Sequence, residues 1–142
     1  MVNSIDDAYA YVRRNVELFF RSGQPSALEC ATALANDAIL LGSTEVHLAR
    51  VDDWWLVSAN QDWLVEGDHA VEALFQRMWP FKEAGVNSIR SEVLIGAFAA
   101  KIVLLTPSTR VVLRGDVRDG EGLETRLAPY AWRRAVAYRM ND

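Results

Sequence analysis

The sequence predicts an α+β fold, a mostly antiparallel sheet with two or three helices packed on one face. Three observations predict it. An opening stretch places apolar residues at helical spacing, and a central pair of aromatic and β-branched runs is divided by Asp52-Asp53. Beyond Ser88, short apolar runs alternate with turn residues. The chain, 142 residues of which 51% are hydrophobic, reads as a single α+β domain over 1–142. It has enough apolar material for a core without disulfides or a structural metal.

The first element is a helix of about 17 residues. Ser4 is its predicted N-cap, Asp6 and Asp7 complement the helix dipole, and Ile5, Ala8, Tyr9, Val12, Val16, Phe19 and Phe20 form the stripe. Ser22-Gly23 and Pro25 end it. Pro25 to Ala35 suits a short second helix carrying Leu28, Ala31 and Leu34. From Ala38 the pattern turns strand-like at Ile39-Leu40-Leu41. Val46–Val51 approaches period two, and Trp54–Ala59 is aromatic and β-branched. With Asp52-Asp53 as the turn, these two runs form a β-hairpin. Asp68 then caps a helix with Ala70, Val71, Leu74, Phe75, Met78 and Trp79 on its stripe, stopped by Pro80. Phe81 to Asn87 reads as a loop.

Ile89, Val93-Leu94-Ile95, Ile102–Leu105 and Val111–Leu113 read as two or three further strands, with Pro107-Ser108 as a hairpin turn. The alternative for Ser91–Ala100 is a helix, favoured by its alanines and opposed by Gly96. Gly115–Gly122 is a polar loop. The tail is either a short helix from Pro129 or a closing strand in which Trp132, Arg134, Val136, Tyr138 and Met140 alternate with Arg133, Ala135, Ala137 and Arg139.

Composition narrows the function classes. The single cysteine, Cys30, excludes an internal disulfide and a cysteine-based zinc cluster, and its small apolar neighbours predict a buried thiol. No basic flank and apolar run mark a signal peptide, and the greasy run Val93–Leu105 carries Lys101 and is short for a bilayer. The expectation is a cytoplasmic protein with no membrane partner; abundant arginine and alanine suggest a bacterial source. The formal net charge is −4, and the carboxylates concentrate in residues 1–100 while arginines dominate 101–142. An acidic protein with arginines at alternating strand positions is not expected to bind nucleic acid.

Catalytic motifs are missing. His47 and His69 form no metal-binding pair, and there is no nucleophile elbow, dinucleotide fingerprint or P-loop. The glycine-rich loop 115–122 lacks the ligand alternation of an EF-hand. No cofactor, metal or catalytic residue is predicted.

The distinctive feature is an acidic, tryptophan-rich hairpin. Asp52, Asp53, Trp54, Trp55, Asp62 and Trp63 set three indoles beside carboxylates. Trp54 and Trp55 are adjacent on a strand and must face opposite ways. An exposed indole among carboxylates would anchor a basic protein partner through apolar burial and cation–π contact. The expected function is therefore a non-catalytic protein-binding module, immunity- or adaptor-like. A homodimer is a second way of covering the same surface. The alternative is a small-molecule-binding domain with a pocket lined by Trp55, Trp63 and Trp79 and with His47 or His69 as its polar group, catalytic or not.

Overall fold

The computed structural model describes residues 5–65, 67–118 and 122–140. Ser4, the predicted N-cap, and Asp119 to Glu121 of the polar loop lie outside them. The elements in order are α1 (Ile5–Arg14), α2 (Val16–Phe19), α3 (Ala27–Leu40), β1 (Val46–Val51), β2 (Trp54–Ala59), α4 (Glu92–Phe98), β3 (Ala99–Thr106), β4 (Thr109–Arg114), α5 (Leu123–Leu127) and β5 (Arg134–Met140). The five strands form one antiparallel sheet in the order β1-β2-β5-β3-β4.

The predicted α+β class and its antiparallel sheet are the observed ones. Helices α1, α3 and α4 cover one face of the sheet. Ala8, Tyr9 and Val12, Cys30, Ala31 and Leu34, and Val93 and Ile95 meet Val57, Ile102, Leu104, Val136 and Tyr138 there. The other face carries a smaller layer, in which Leu123 and Leu127 of α5 close over Trp54, Leu56, Val103, Leu105, Ala135 and Ala137. Strand β5 is central, and its alternation serves both layers. Its small alanines face α5, while Val136 and Tyr138 fill the main core.

The β1–β2 hairpin forms as its period-two pattern requires, with Val51 opposite Trp54 and Asp52 in the left-handed region at φ 55°. The turn at Pro107-Ser108 joins β3 to β4, with Thr106 opposite Thr109. The tail closes as a strand, and the short helix lies before Pro129 rather than after it.

Four elements differ from expectation. The first helix breaks at Asn15, whose φ of −124° leaves the helical region and whose side-chain amide donates to the Tyr11 carbonyl. The second helix is longer than predicted. Ser26 caps it by accepting from the Glu29 N–H, and it runs through Ile39-Leu40, the run that looked like strand. Burial of Leu34, Ala35, Asp37 and Ala38 carries it forward, and a short apolar run alone does not distinguish helix from strand.

The predicted helix over 68–79 is reduced to a 3-10 turn at Val71–Phe75 entered from Ala70, not Asp68. Carbonyls that an α-helix needs are taken by side chains: Trp79 Nε1 donates to Ala73 O at 2.8 Å and the Tyr9 hydroxyl donates to Phe75 O at 2.9 Å. Finally, Val93-Leu94-Ile95 lies in helix α4, not in a strand. Gly96 fits there for lack of a side chain. A Cβ at that position would stand 2.0 Å from Phe75 O and 2.6 Å from the Tyr9 hydroxyl.

Among the described residues, no helix is long and apolar enough to cross a membrane.

Candidate functional site

Between β2 and α4 the chain runs through residues 60–91, where the described residues form two short 3-10 turns, at Val71–Phe75 and Lys82–Ala84, and no longer helix or strand. Irregular connections of more than about 15 residues are uncommon in compact domains and are usually either functional or linker segments. This excursion is also unusually well fastened. Arg90, 2% exposed, is the centre of the fastening. Its Nη2 donates to Trp63 O at 2.7 Å and its Nη1 to Val65 O at 3.0 Å, while Nε reaches Glu92 Oε1 at 3.1 Å and Nη2 reaches Glu92 Oε2 at 3.2 Å. Trp63 completes the ring, its indole N–H donating to Glu92 Oε2 at 3.2 Å. A fully buried carboxylate is thus met by a guanidinium and an indole, the arrangement that makes such a charge tolerable.

Further fasteners come from other elements. Arg134 of β5 grips Asp62 with two bonds of 3.0 Å. Asp37 of α3 accepts from the Ser91 N–H at 2.9 Å and from the Ser91 hydroxyl at 2.6 Å, so α3 holds the entry to α4. Burial, then the neighbouring Glu92 carboxylate, pushes the Asp37 carboxyl up to about 6, against the opposing pull of the Ser91 bonds and Arg90.

On this foundation sits the loop 80–89. Pro80 bridges Ile89, the Phe81 N–H donates to Ser88 O at 2.9 Å, and the Arg90 N–H donates to Trp79 O at 2.9 Å. Gly85 at φ 124° and Asn87 at φ 68° shape its tip. Val86 at that tip is 92% exposed. Two open depressions adjoin the loop. One, of about 320 Å³, is lined by Leu41, Val65, Phe81 and Arg90; the other, of about 470 Å³, by Val86, Ser88 and Ile89. Both share Pro80, Phe81 and Lys82 and adjoin as one groove, apolar at the Val86–Ile89 end and more polar at the Arg90 end, which Glu83 also lines.

The six residues singled out in the sequence are dispersed by the fold. Trp54 is 1% exposed in the smaller core layer beneath α5, and its indole nitrogen has no hydrogen-bond partner among the described residues. Trp55 points to the opposite face, half-buried against the main core, with the Arg50 guanidinium 4.9 Å from its ring centroid. Asp52 and Asp53 are exposed at the hairpin turn, Asp53 lying 3.4 Å from Arg139. Asp62 and Trp63 belong instead to the excursion, and Trp63 is buried. Trp54 and Trp63 therefore offer no surface to a partner.

The histidines lie elsewhere. His47 stacks on Tyr130 with ring centroids 3.7 Å apart, and its Nε2 lies 2.9 Å from Glu45 Oε2. That contact, with the Ala131 N–H, holds the Glu45 carboxyl below its ordinary value. His69 packs against Trp79 at 4.6 Å. Neither histidine lines the groove. Cys30 is buried as expected, and desolvation pushes its thiol up to about 12. Burial likewise raises the Tyr138 hydroxyl, which donates to Ala27 O at 2.6 Å. Among the described residues no group of three or more His, Cys, Asp or Glu is placed to hold a metal ion.

Asp37, Arg90, Ser91 and Glu92 were not singled out in the sequence. Their signal was present in one form: Arg90 and Glu92 are charges embedded between Ile89 and the apolar run that starts at Val93. Charged residues are almost never fully buried unless paired, so their position in a greasy run implied a partner.

No family model, curated protein or solved structure matches this chain. The functional reading rests on the site alone.

Proposed function

We propose that the chain is a non-catalytic protein-binding module, immunity- or adaptor-like, that seats an apolar segment of a basic protein in the groove beside loop 80–89. One observation carries the reading: an exposed apolar rim stands on a rigid polar foundation. Val86 and Val65 are 92% and 58% exposed, while the floor beneath them is pinned by the Arg90–Glu92–Trp63 ring. A groove preorganised in this way binds without the cost of ordering a loop. The buried polar side chains beneath the groove, Arg90, Glu92 and Trp63, are spent on each other and on backbone carbonyls, as befits an anchor and not a reactive centre. His47 and His69 are engaged away from the groove, and Cys30 is sealed in the core.

The partner's charge follows from the net charge of −4. An acidic surface, including the exposed Asp52 and Asp53 of the hairpin, steers a basic protein to encounter, and the groove supplies the apolar contact. In this reading the hairpin contributes field, and the excursion contributes the anchor.

Photo-crosslinking tests the assignment. A photoreactive amino acid at position 86, expressed in cells of the source organism, is expected to trap one specific protein. The same group at position 52 is expected to trap that protein weakly or not at all. Adducts from position 52 with none from position 86 would return the site to the hairpin.

A further inference from the structure

We infer that Asp37 and Ser91 form a pH-responsive fastener, which holds the excursion more tightly in mildly acidic than in neutral solution. Asp37 lies in the last turns of α3, 5% exposed, and its Oδ2 takes both the N–H and the hydroxyl of Ser91. Ser91 separates the two members of the clamp, Arg90 and Glu92, so any movement of Ser91 away from α3 moves the clamp with it. When the excursion and the entry to α4 lift off, Asp37 returns to water.

Two buried carboxylates, Asp37 and Glu92, flank one guanidinium. Among the described residues, Glu92 and Arg90 are the charged groups that act on Asp37. The strands packed against α3 bring Val46, Val57 and Ala59 to this layer, and the 3-10 turn that also packs on α3 keeps Lys82 and Glu83 exposed. Burying the Asp37 charge beside a second carboxylate costs free energy that the Ser91 bonds only partly offset. A proton removes that cost without breaking the contact. It can sit on Oδ1, and Oδ2 remains a carbonyl oxygen that accepts from the Ser91 N–H and hydroxyl.

The sign follows. The Asp37 carboxyl stands at about 6 when the fastener is closed and at its ordinary 3.8 when open. The closed state binds the proton more tightly, so its share grows as pH falls through about 6 and shrinks as pH rises. Between pH 7.5 and pH 5 the closed-to-open ratio is expected to rise about tenfold. The fastener stands on the buried contacts alone; its value in controlling partner uptake rests on the binding function proposed above.

Native-state amide hydrogen exchange of the full chain, corrected for intrinsic exchange at each pH, reads the ratio directly. Protection of the Arg90 and Ser91 amides is expected to rise about tenfold from pH 7.5 to pH 5. Asp37→Asn, which keeps an acceptor oxygen for Ser91, is expected to flatten that rise. Ser91→Ala removes one bond to the ionised carboxylate and is expected to move the transition to higher pH. A flat profile in the wild type, or an equal rise in Asp37→Asn, overturns the fastener. Neither result depends on a partner, so crosslinking at position 86 stands or falls independently.

Discussion

Trp54 in the hairpin and Trp63 in the excursion are buried to the same degree, yet the structure uses them differently. Trp54 fills space. It packs against Leu56, Leu123, Leu127 and the alanines of β5, and its nitrogen is unpartnered among the described residues. Trp63 is wired as well as packed, its indole N–H on Glu92 and its carbonyl on Arg90. The acidic neighbours differ in the same way. Asp53 meets Arg139 at the surface, where solvent screens the pair, whereas Glu92 meets Arg90 out of contact with water. Tryptophan beside acid is thus one compositional signal with two physical meanings. In the hairpin it marks a core indole next to a solvated turn; in the excursion it marks a buried network that holds irregular backbone in place.

Cutting the buried ion pair is expected to have the largest effect. Arg90→Met leaves Glu92 buried without its cation and is expected to cost about 3–5 kcal/mol in urea unfolding, whereas Asp53→Asn is expected to cost less than about 1 kcal/mol. Equal costs would mean that the excursion is no better anchored than the hairpin turn. Gly96→Ala comes next. Its methyl would collide with Phe75 O, which is backbone, and displace the Tyr9 hydroxyl that ties the excursion to α1. A loss of about 1–3 kcal/mol is expected in the same assay.

The indoles themselves give the third test. Trp63→Phe removes a hydrogen bond to a charged group and is expected to cost about 1–2 kcal/mol more than Trp54→Phe, which removes none among the described residues. The fourth is pH. Because the folded Asp37 carboxyl sits above its unfolded value, its contribution favours folding below pH 6 and fades above it. Wild type minus Asp37→Asn is expected to show about 1.4 kcal/mol more stability at pH 5 than at pH 7.5. The carboxyls held low by partners, such as Glu45 and Glu124, act in the opposite sense, and only as pH falls toward their lowered values. The smallest effect is Val86→Asp, expected to change stability by no more than about 0.5 kcal/mol because the side chain is in water.

What was legible in the sequence divides along the same line. The hairpin was readable because period two is local, each residue's face being set by its neighbours; the same alternation made β5 one of two readings of the tail, beside a short helix from Pro129. The end of α3 and the run Val93–Ile95 were not, since three consecutive apolar residues carry no period. The helix expected over 68–79 failed for one local and one non-local reason: Trp79 captures the Ala73 carbonyl within the segment, and the distant Tyr9 captures that of Phe75. The site was legible only in fragments. Asp62 and Trp63 were flagged for their composition, but their partners Arg134, Arg90 and Glu92 lie far along the chain, and so does the Asp37–Ser91 contact. Pairings of that kind are consequences of topology, and one sequence holds no pattern for them.

Recognition is proposed to belong to the excursion and not to the hairpin. Once the crosslinked protein is purified, titration calorimetry with three forms of the chain decides it. Val86→Asp, folded and as stable as the wild type, is expected to weaken binding at least tenfold, while Asp52→Asn with Asp53→Asn shifts affinity by no more than about threefold. Unchanged affinity in Val86→Asp together with a tenfold loss in the hairpin variant would contradict the account.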